Sequence, residues 1–587
     1  MNKQESPAFL GKFLYGLLFV VVLPLLLAYW SSVLDKSITW PVPNLPFVSV
    51  GSVLLGGGIM LKGVLDLYTY GQGLPMNAYP PKKLVTRGIY AWFAHPIYLG
   101  AVLFSSGIAL WFRSSSGLYI VTPMVAFMAL SLLYGYERLA MAKLFGNSLS
   151  QYRPLFSWPV SSEEKAARTK KIAMLIRIFL PWIAVGHLID YARCAAGCTG
   201  SLIRSWAIQP GQIGLDILWI IPYLYVAVKL LIARTERNLQ HTAIAATLAT
   251  ALGIYLYLIL PGFGFNRIDP KWSLIVTSIA TVVIAVNYRA IWSKLQSFCE
   301  WVANSRRDWL LANGSFRIIN HGLYSGLGGA VGVGIASYII GNNPAVLVLI
   351  LCILTGCAIV AQLWWGSNVL LRPFGYWGGI LGGILGTLVV YFFFEISISQ
   401  VALGAVLCVP FAQAIGRLRC LVQGCCHGVV TNNKDLGIRV WQHQSRVVVL
   451  SGLKGQYILN TQLYSILFNL ILGLLLWSMW LTHSISSWII VGLYFILTGI
   501  ERFVEDAYRG ETQTKTVRGL KENQWVAIIA LIIGILITLI PTSLPSSRVG
   551  TIDLSFLATA LVGGLLAAFA MSMDFPKSNK RFSRLSG

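Results

Sequence analysis

Residues 416–428 read GRLRCLVQGCCHG. Two arginines, three cysteines and a histidine crowd into this stretch, and apolar sequence flanks it on both sides. Those flanks decide the fold. Residues 374–395 and 397–415 precede it, and 461–482 and 485–501 follow the polar sequence after it. Each run approaches the ~20 residues needed to cross about 30 Å of hydrocarbon. Similar runs lie near 10–34, 46–68, 90–112, 116–136, 172–190, 212–233, 242–261, 273–292, 322–341, 344–366, 524–543 and 555–573. The pattern predicts an all-α polytopic membrane protein with roughly sixteen transmembrane helices in two units. The 587 residues are 56% hydrophobic and only 11% charged, against about 25% charged in soluble domains, which excludes a soluble globular fold. The first run lacks a small-x-small cleavage site before Trp30 and reads as a retained span.

The formal net charge of +24 would point to nucleic acid in a soluble protein. In a membrane protein it follows the positive-inside rule, so no nucleic-acid partner is expected. Lys82, Lys83 and Arg87, the run Lys165 to Lys171, Arg306 to Arg317, and the tail from Lys577 to Arg584 should face the anionic inner leaflet. The cysteines form no disulfide framework. Cys299, Cys352, Cys357 and Cys408 lie in or beside apolar segments as small packed hydrophobes. Cys194 and Cys198 fall in a loop, where a disulfide is the alternative to free thiols, although a spacing of one helical turn is poor geometry for it.

A linker rich in proline, serine and charge follows Tyr152, placing a boundary near 165. A polar island over 429–462 alternates apolar and polar residues in IRVWQ and RVVVL, predicting a small extramembrane head near 429–460. The expected division is 1–165, connecting helices over 166–315, a second membrane domain over 316–545, and a last helix with a basic tail over 546–587.

In the first unit, Pro80 to Gly100 reads PPKKLVTRGIYAWFAHPIYLG, and Tyr136 to Pro154 reads YERLAMAKLFGNSLSQYRP. His95-Pro96 heads a span, where proline suits the first helical turn and an imidazole can meet a ligand or change charge near neutral pH. Glu137 stands at the end of the next span, a position equally suited to a solvated helix end. Together these stretches resemble the isoprenylcysteine carboxyl methyltransferase and phospholipid methyltransferase group. The resemblance implies S-adenosylmethionine as cofactor, held by Gly88, Tyr90, His95, Pro96, Tyr98 and Glu137. Ala94 replaces the arginine this group places before His-Pro.

In the second unit, YFILTGIERFVEDAYRGE spans Tyr494 to Glu511. Arg502, Asp506 and Arg509 recur at i, i+4, i+7 and share a helix face, with Glu505 beside them. They read either as interfacial ion pairs, Arg502–Asp506 and Glu505–Arg509, or as a clamp for phosphate, whose oxygens guanidinium groups bind bidentately. Arg417 and Arg372 also sit at the edges of apolar runs. Gln462, Ser465 and Asn469 form a polar stripe of the kind that hydrogen-bonds between membrane helices, and Gly378, Gly382 and Gly386 repeat small-xxx-small.

Taken in order, YWGGILGG at 376–383, Gly416-Arg417, the glycines at 424 and 428, QLY at 462–464, the Arg502–Asp506–Arg509 series and RGLKENQW resemble prolipoprotein diacylglyceryl transferases. This resemblance implies transfer of diacylglyceryl from phosphatidylglycerol to a thiol of a lipoprotein precursor in the bacterial inner membrane. It places Arg417, Arg502 and Asp506 in catalysis, and Arg372, Tyr376, Gly378, Gly379, Gln462, Tyr464 and Arg509 at the lipid. Trp377, Cys420, Cys425 and Thr498 replace that family's histidine, asparagine, glutamate and tyrosine. Beside arginines, Cys425 gains thiolate character as a nucleophile, with His427 as base if a turn brings it near. Buried packing of the thiols is the plainer alternative. C-x4-C-C-H lacks the usual C-x2-C metal spacing, so no metal is expected. A non-catalytic lipid-binding or lipid-moving protein on the same folds is the alternative function.

Overall fold

A computed structural model describes residues 16–75, 81–152, 170–176, 227–259, 270–364, 375–511, 516–541 and 549–578, with a few isolated positions besides. Cys194, Cys198, Arg372 and the boundary near 165 lie outside the described residues. The protein is an all-α polytopic membrane protein. Among the described residues, eight helices are long and apolar enough to span a bilayer, and four shorter apolar helices accompany them. The chain divides into two compact units, Met1–Tyr288 and Arg289–Gly587.

In the first unit, α1 (Leu23–Leu34), α2 (Pro46–Gly71), α3 (Pro96–Trp111) and α4 (Thr122–Leu132) each carry proline in the first turn. There its fixed φ suits the helix and its missing N–H breaks no bond. Helices α2 and α3 pack at very short range, because a Cβ on Gly56 would strike the Phe104 backbone and the Gly100 carbonyl. Small residues at such crossings let membrane helices gain dispersion contacts that lipid tails cannot match. Asp35 accepts from both the N–H and the hydroxyl of Ser116 at 2.8 Å, tying α1 to the π-helical turn before α4 (Gly117–Val121). A second π turn, Leu133–Glu137, leads into α5 (Arg138–Phe145) and α6 (Asn147–Gln151). Helix α7 spans Glu236–Ile259 and α8 Pro270–Ala303.

In the second unit, α9 (Gly322–Ile340), α10 (Asn343–Trp364), α11 (Tyr376–Phe394) and α12 (Ile398–Gln423) precede the polar island. After it come α14 (Thr461–Leu481), α15 (Ser487–Ala507), α16 (Glu522–Thr538) and α17 (Leu554–Ser572). The helices pack mainly as pairs: α9 with α12 and α17, α10 with α11, α12 with α14, and α15 with α16. A three-stranded sheet of β1 (Asp308–Leu311), β2 (Phe316–Ile319) and β7 (Met573–Asp574) joins the two ends of this unit. Arg317 bridges Asp308 and the fully buried Asp574 there.

The island is a small head, built from the hairpin β3 (Gly437–Arg439) and β4 (Tyr457–Leu459) with the short helix α13 (Arg446–Val449) between its strands. It docks on the end of α8 through Asn304, whose Oδ1 accepts from Trp441 N–H at 2.7 Å, and through Arg306, which donates to the Gln444 carbonyl. Ile438, Val440, Val447 and Ile458 share a core with Cys299, Val302, Leu421 and Val422. This packing fixes the head against the end of α12, where the site lies. A final hairpin, β5 (Thr516–Val517) and β6 (Leu520–Lys521), precedes α16.

Candidate functional site

Helix α12 ends at Gly424 in the left-handed conformation (φ +75°), with its N–H bonded to the Cys420 carbonyl at 2.8 Å. Glycine is the usual residue for such a cap. The chain turns again at Cys426, also left-handed at φ +58°. Residues 428–430 then run between β4 and residues 508–510: Gly428 N–H donates to the Leu459 carbonyl and Val429 N–H to the Tyr508 carbonyl. The opening motif is thereby fastened to the end of α15.

At that end the charges converge on one carboxylate. Arg417 Nη2 pairs with Glu505 Oε2 at 2.9 Å, Arg502 Nη1 with the same oxygen at 2.6 Å, and Arg509 Nη2 with Oε1 at 2.9 Å. The Glu505 side chain is only 3% exposed. Arg417 Nε also donates to Ser465 on α14 at 3.0 Å. Of the two pairs expected by spacing, Glu505–Arg509 forms, but Arg502 goes to Glu505 instead of Asp506, which takes Arg509 at 3.1 Å and Asn523 at 3.0 Å. Lys521 donates to the carbonyls of Asp506 and Arg509, and burial lowers its ammonium below the ordinary value. Some polar atoms here are buried without partners: Asp506 Oδ2, Gln462 Oε1, and Nε and Nη2 of Arg419.

The remaining residues singled out in this unit divide. Gln462 Nε2 donates to the Cys425 carbonyl at 2.9 Å, so it meets the motif. His427 is buried, with Nε2 at 2.9 Å from the Ser451 hydroxyl and Nδ1 at 3.0 Å from the Gly428 carbonyl. Both ring nitrogens are therefore engaged away from Cys425, whose thiol donates to Gln423 Oε1 at 3.7 Å. Tyr464 stacks on Trp292 at 6.0 Å and donates to the Leu436 carbonyl. Gly378 and Gly379 sit against Gly356 and Cys357 of α10, where they serve close helix packing. Tyr376 begins α11. Sequence reasoning gave no role to Arg419 and made Glu505 a pair partner rather than a hub. Its position three residues after Arg502 and four before Arg509 was the available signal.

In the first unit, Tyr98 on α3 donates to Glu137 Oε1, and His95 packs on the Tyr98 ring at 6.4 Å. Pro96 is buried in the first turn of α3. Gly88 has φ +63°, and a Cβ there would collide with the Asp66 carboxylate. Asp66, which the sequence reading passed over, is 2% exposed, pairs with Lys62 at 2.7 Å and accepts from Ile89 N–H at 2.7 Å. The Tyr90 carbonyl accepts from Tyr152 at 2.6 Å, and burial pushes both phenols above their ordinary range. A cleft of about 440 Å³, within the range of small-molecule sites, is lined by Lys83, Leu84, Thr86, Phe145, Ser148, Gln151 and Tyr152.

Comparison with known proteins matches residues 310–540 to the family model described as prolipoprotein diacylglyceryl transferase. Residues 47–148 match the model described as phospholipid methyltransferase. A Clostridium perfringens protein named phosphatidylglycerol–prolipoprotein diacylglyceryl transferase 2 is 28% identical over 205 residues, covering 33% of this chain and 76% of that protein. A Clostridium tetani protein named phosphatidylglycerol–prolipoprotein diacylglyceryl transferase is 29% identical over 168 residues, covering 28% of this chain and 62% of its own length. The chain thus joins a segment similar to the phospholipid methyltransferases to a longer segment similar to the prolipoprotein diacylglyceryl transferases.

Proposed function

We propose that the second unit transfers a diacylglyceryl-type group from phosphatidylglycerol to a thiol acceptor, such as that of a lipoprotein precursor, in a bacterial inner membrane. The observation that carries this reading is the convergence of Arg417, Arg502 and Arg509 on Glu505. Glu505 prealigns guanidinium groups from two helices. Prealigned donors cost no reorganisation when charge develops on a leaving phosphate. The acceptor thiolate attacks the phosphate-bearing carbon of the diacylglyceryl group, the bond from that carbon to the phosphate oxygen breaks, glycerol phosphate leaves with the electron pair, and the proton given up by the thiol ends on the released phosphate. Asp506, locked by Asn523 and Arg509, holds Arg509 in place. The test supplies purified protein with phosphatidylglycerol and a cysteine-containing peptide, and mass spectrometry looks for the thioether adduct. Adduct formation that Arg417→Ala abolishes supports the reading, and no adduct from the wild type contradicts it.

For the first unit the reading is S-adenosylmethionine-dependent methyl transfer. Its residues fit the cofactor: Glu137 and Asp66 supply carboxylates for ammonium and hydroxyl groups, and Gly88 lets its loop lie directly against the Asp66 carboxylate. His95 and Tyr98 would hold polar parts of the cofactor, which supplies an electrophilic methyl group when bound.

The alternative, a non-catalytic binder or mover of anionic lipid, draws on one observation. Glu505 offsets one of the three guanidinium charges it aligns, and a weakened hold on phosphate suits reversible lipid exchange.

A further inference from the structure

We propose that Cys420, Cys425 and Cys426 form a three-thiolate site for a single thiophilic d10 cation, of the Zn²⁺ or Cu⁺ class. The three sulfurs lie within 4.8 Å of one another. Sulfurs sharing one cation at about 2.3 Å sit about 3.8 Å apart, so small side-chain rotations of about 1 Å close the site. The spacing hides this site from a C-x2-C search. Two left-handed residues, Gly424 and Cys426, fold the segment after α12 back over Cys420.

The turn is held from several sides. Glu511 Oε1 accepts the Cys426 N–H at 2.9 Å, Thr461 Oγ1 donates to the Cys426 carbonyl at 2.7 Å, and Gln462 Nε2 donates to that of Cys425. A residue with a Cβ held at positive φ is strained, and such strain gathers where a side chain has a task. If small thiols merely filled space here, glycine would satisfy the backbone at 426 without that strain.

Charge gives an independent argument. Arg419 is 8% exposed, and its Nε and Nη2 have no hydrogen-bond partner. It lies next to Cys420 in the last turns of α12. Burying a guanidinium without a counter-charge is costly. Three thiolates around Zn²⁺ carry one net negative charge, and around Cu⁺ two, which supplies the missing partner. Soft thiolate ligands select these cations over hard ones such as Mg²⁺ and Ca²⁺. All three cysteines are partly exposed, so the cation has a route in. Three protein ligands leave a fourth position open for an exogenous ligand. His427 is no ligand, since Nε2 is committed to Ser451.

The proposal is independent of the lipid reading, and its test reads metal alone. The full chain is purified in detergent under reductant, exposed separately to Zn²⁺ and Cu⁺, and desalted; Co²⁺ serves as an optical probe. The expected result is about one retained equivalent of Zn²⁺ or Cu⁺, with a near-ultraviolet thiolate-to-Co²⁺ charge-transfer band. Cys420→Ser, Cys425→Ser and Cys426→Ser should each weaken retention at least tenfold, and Cys352→Ser should leave it unchanged. The proposal is overturned if the wild type retains no more metal than Cys426→Ser. Should the serine variants aggregate, the wild-type band is read alone, because its intensity scales with the number of thiolates. An intensity of one thiolate or none overturns the proposal.

Discussion

Arg417 on α12 donates from Nη2 to Oε2 of Glu505 on α15 at 2.9 Å, joining two membrane helices through one buried carboxylate. Arg502 and Arg509 share the same carboxylate, so its removal takes an acid partner from three guanidinium groups, of which Arg509 keeps Asp506. Breaking a buried pair by deleting one partner costs about 3–5 kcal/mol. Glu505→Ala is expected to lower the thermal midpoint in detergent sharply. A variant as stable as the wild type contradicts the hub.

Gly378 and Gly382 bring α11 onto the α10 backbone near Gly356 and Cys352. A side chain at either place forces the helices apart, and overpacking of this kind costs about 1–3 kcal/mol. Gly382→Val should destabilise the second unit by that amount, measured by thermal unfolding. Gly416, around which nothing lies within 4 Å of an added Cβ, should accept alanine with little loss.

Asp553 caps α17 by accepting from the Phe556 N–H at 2.9 Å. That backbone hydrogen bond, with those of Ser555 and Thr551, lowers its carboxyl below the ordinary value of 3.8. A depressed carboxylate contributes stability that is fully present above its unfolded value and fades as pH falls through the folded one. Asp553→Ala should therefore lower the thermal midpoint at neutral pH, and the difference from wild type should vanish in strong acid. A difference that persists there contradicts the cap.

Gly88 sits at φ +63° against Asp66. Gly88→Val both strains the backbone and pushes on that carboxylate, so S-adenosylmethionine binding by isothermal titration should weaken more than tenfold. His95→Ala should weaken it too. Equal affinities in wild type and variants contradict the cofactor reading.

Apolar runs of about twenty residues made the membrane helices legible, because crossing lipid demands that length. The head was legible from the alternation in IRVWQ, whose Ile438 and Val440 are buried. The shared face of Arg502, Asp506 and Arg509 followed from helical period, and so did the Glu505–Arg509 pair, but the acid taken by Arg502 did not. Arg417 arrives from α12 and draws on Glu505, and a long-range partner leaves no mark in local spacing. Asp66 lay hidden for the same reason: its partner loop at Gly88 is 22 residues away in sequence. The meeting of Cys420 with Cys425 and Cys426 depends on a left-handed cysteine at 426, a conformation that residue type alone does not announce.

The central claim is that the guanidinium groups gathered at Glu505 receive an anionic lipid headgroup. It is tested most directly by the thermal midpoint of the full chain in nanodiscs of phosphatidylglycerol and of phosphatidylcholine. The account predicts a higher midpoint in phosphatidylglycerol that disappears in Arg502→Ala and in Arg417→Lys, which keeps the charge and loses the planar fork. An unchanged preference for phosphatidylglycerol in both variants contradicts it.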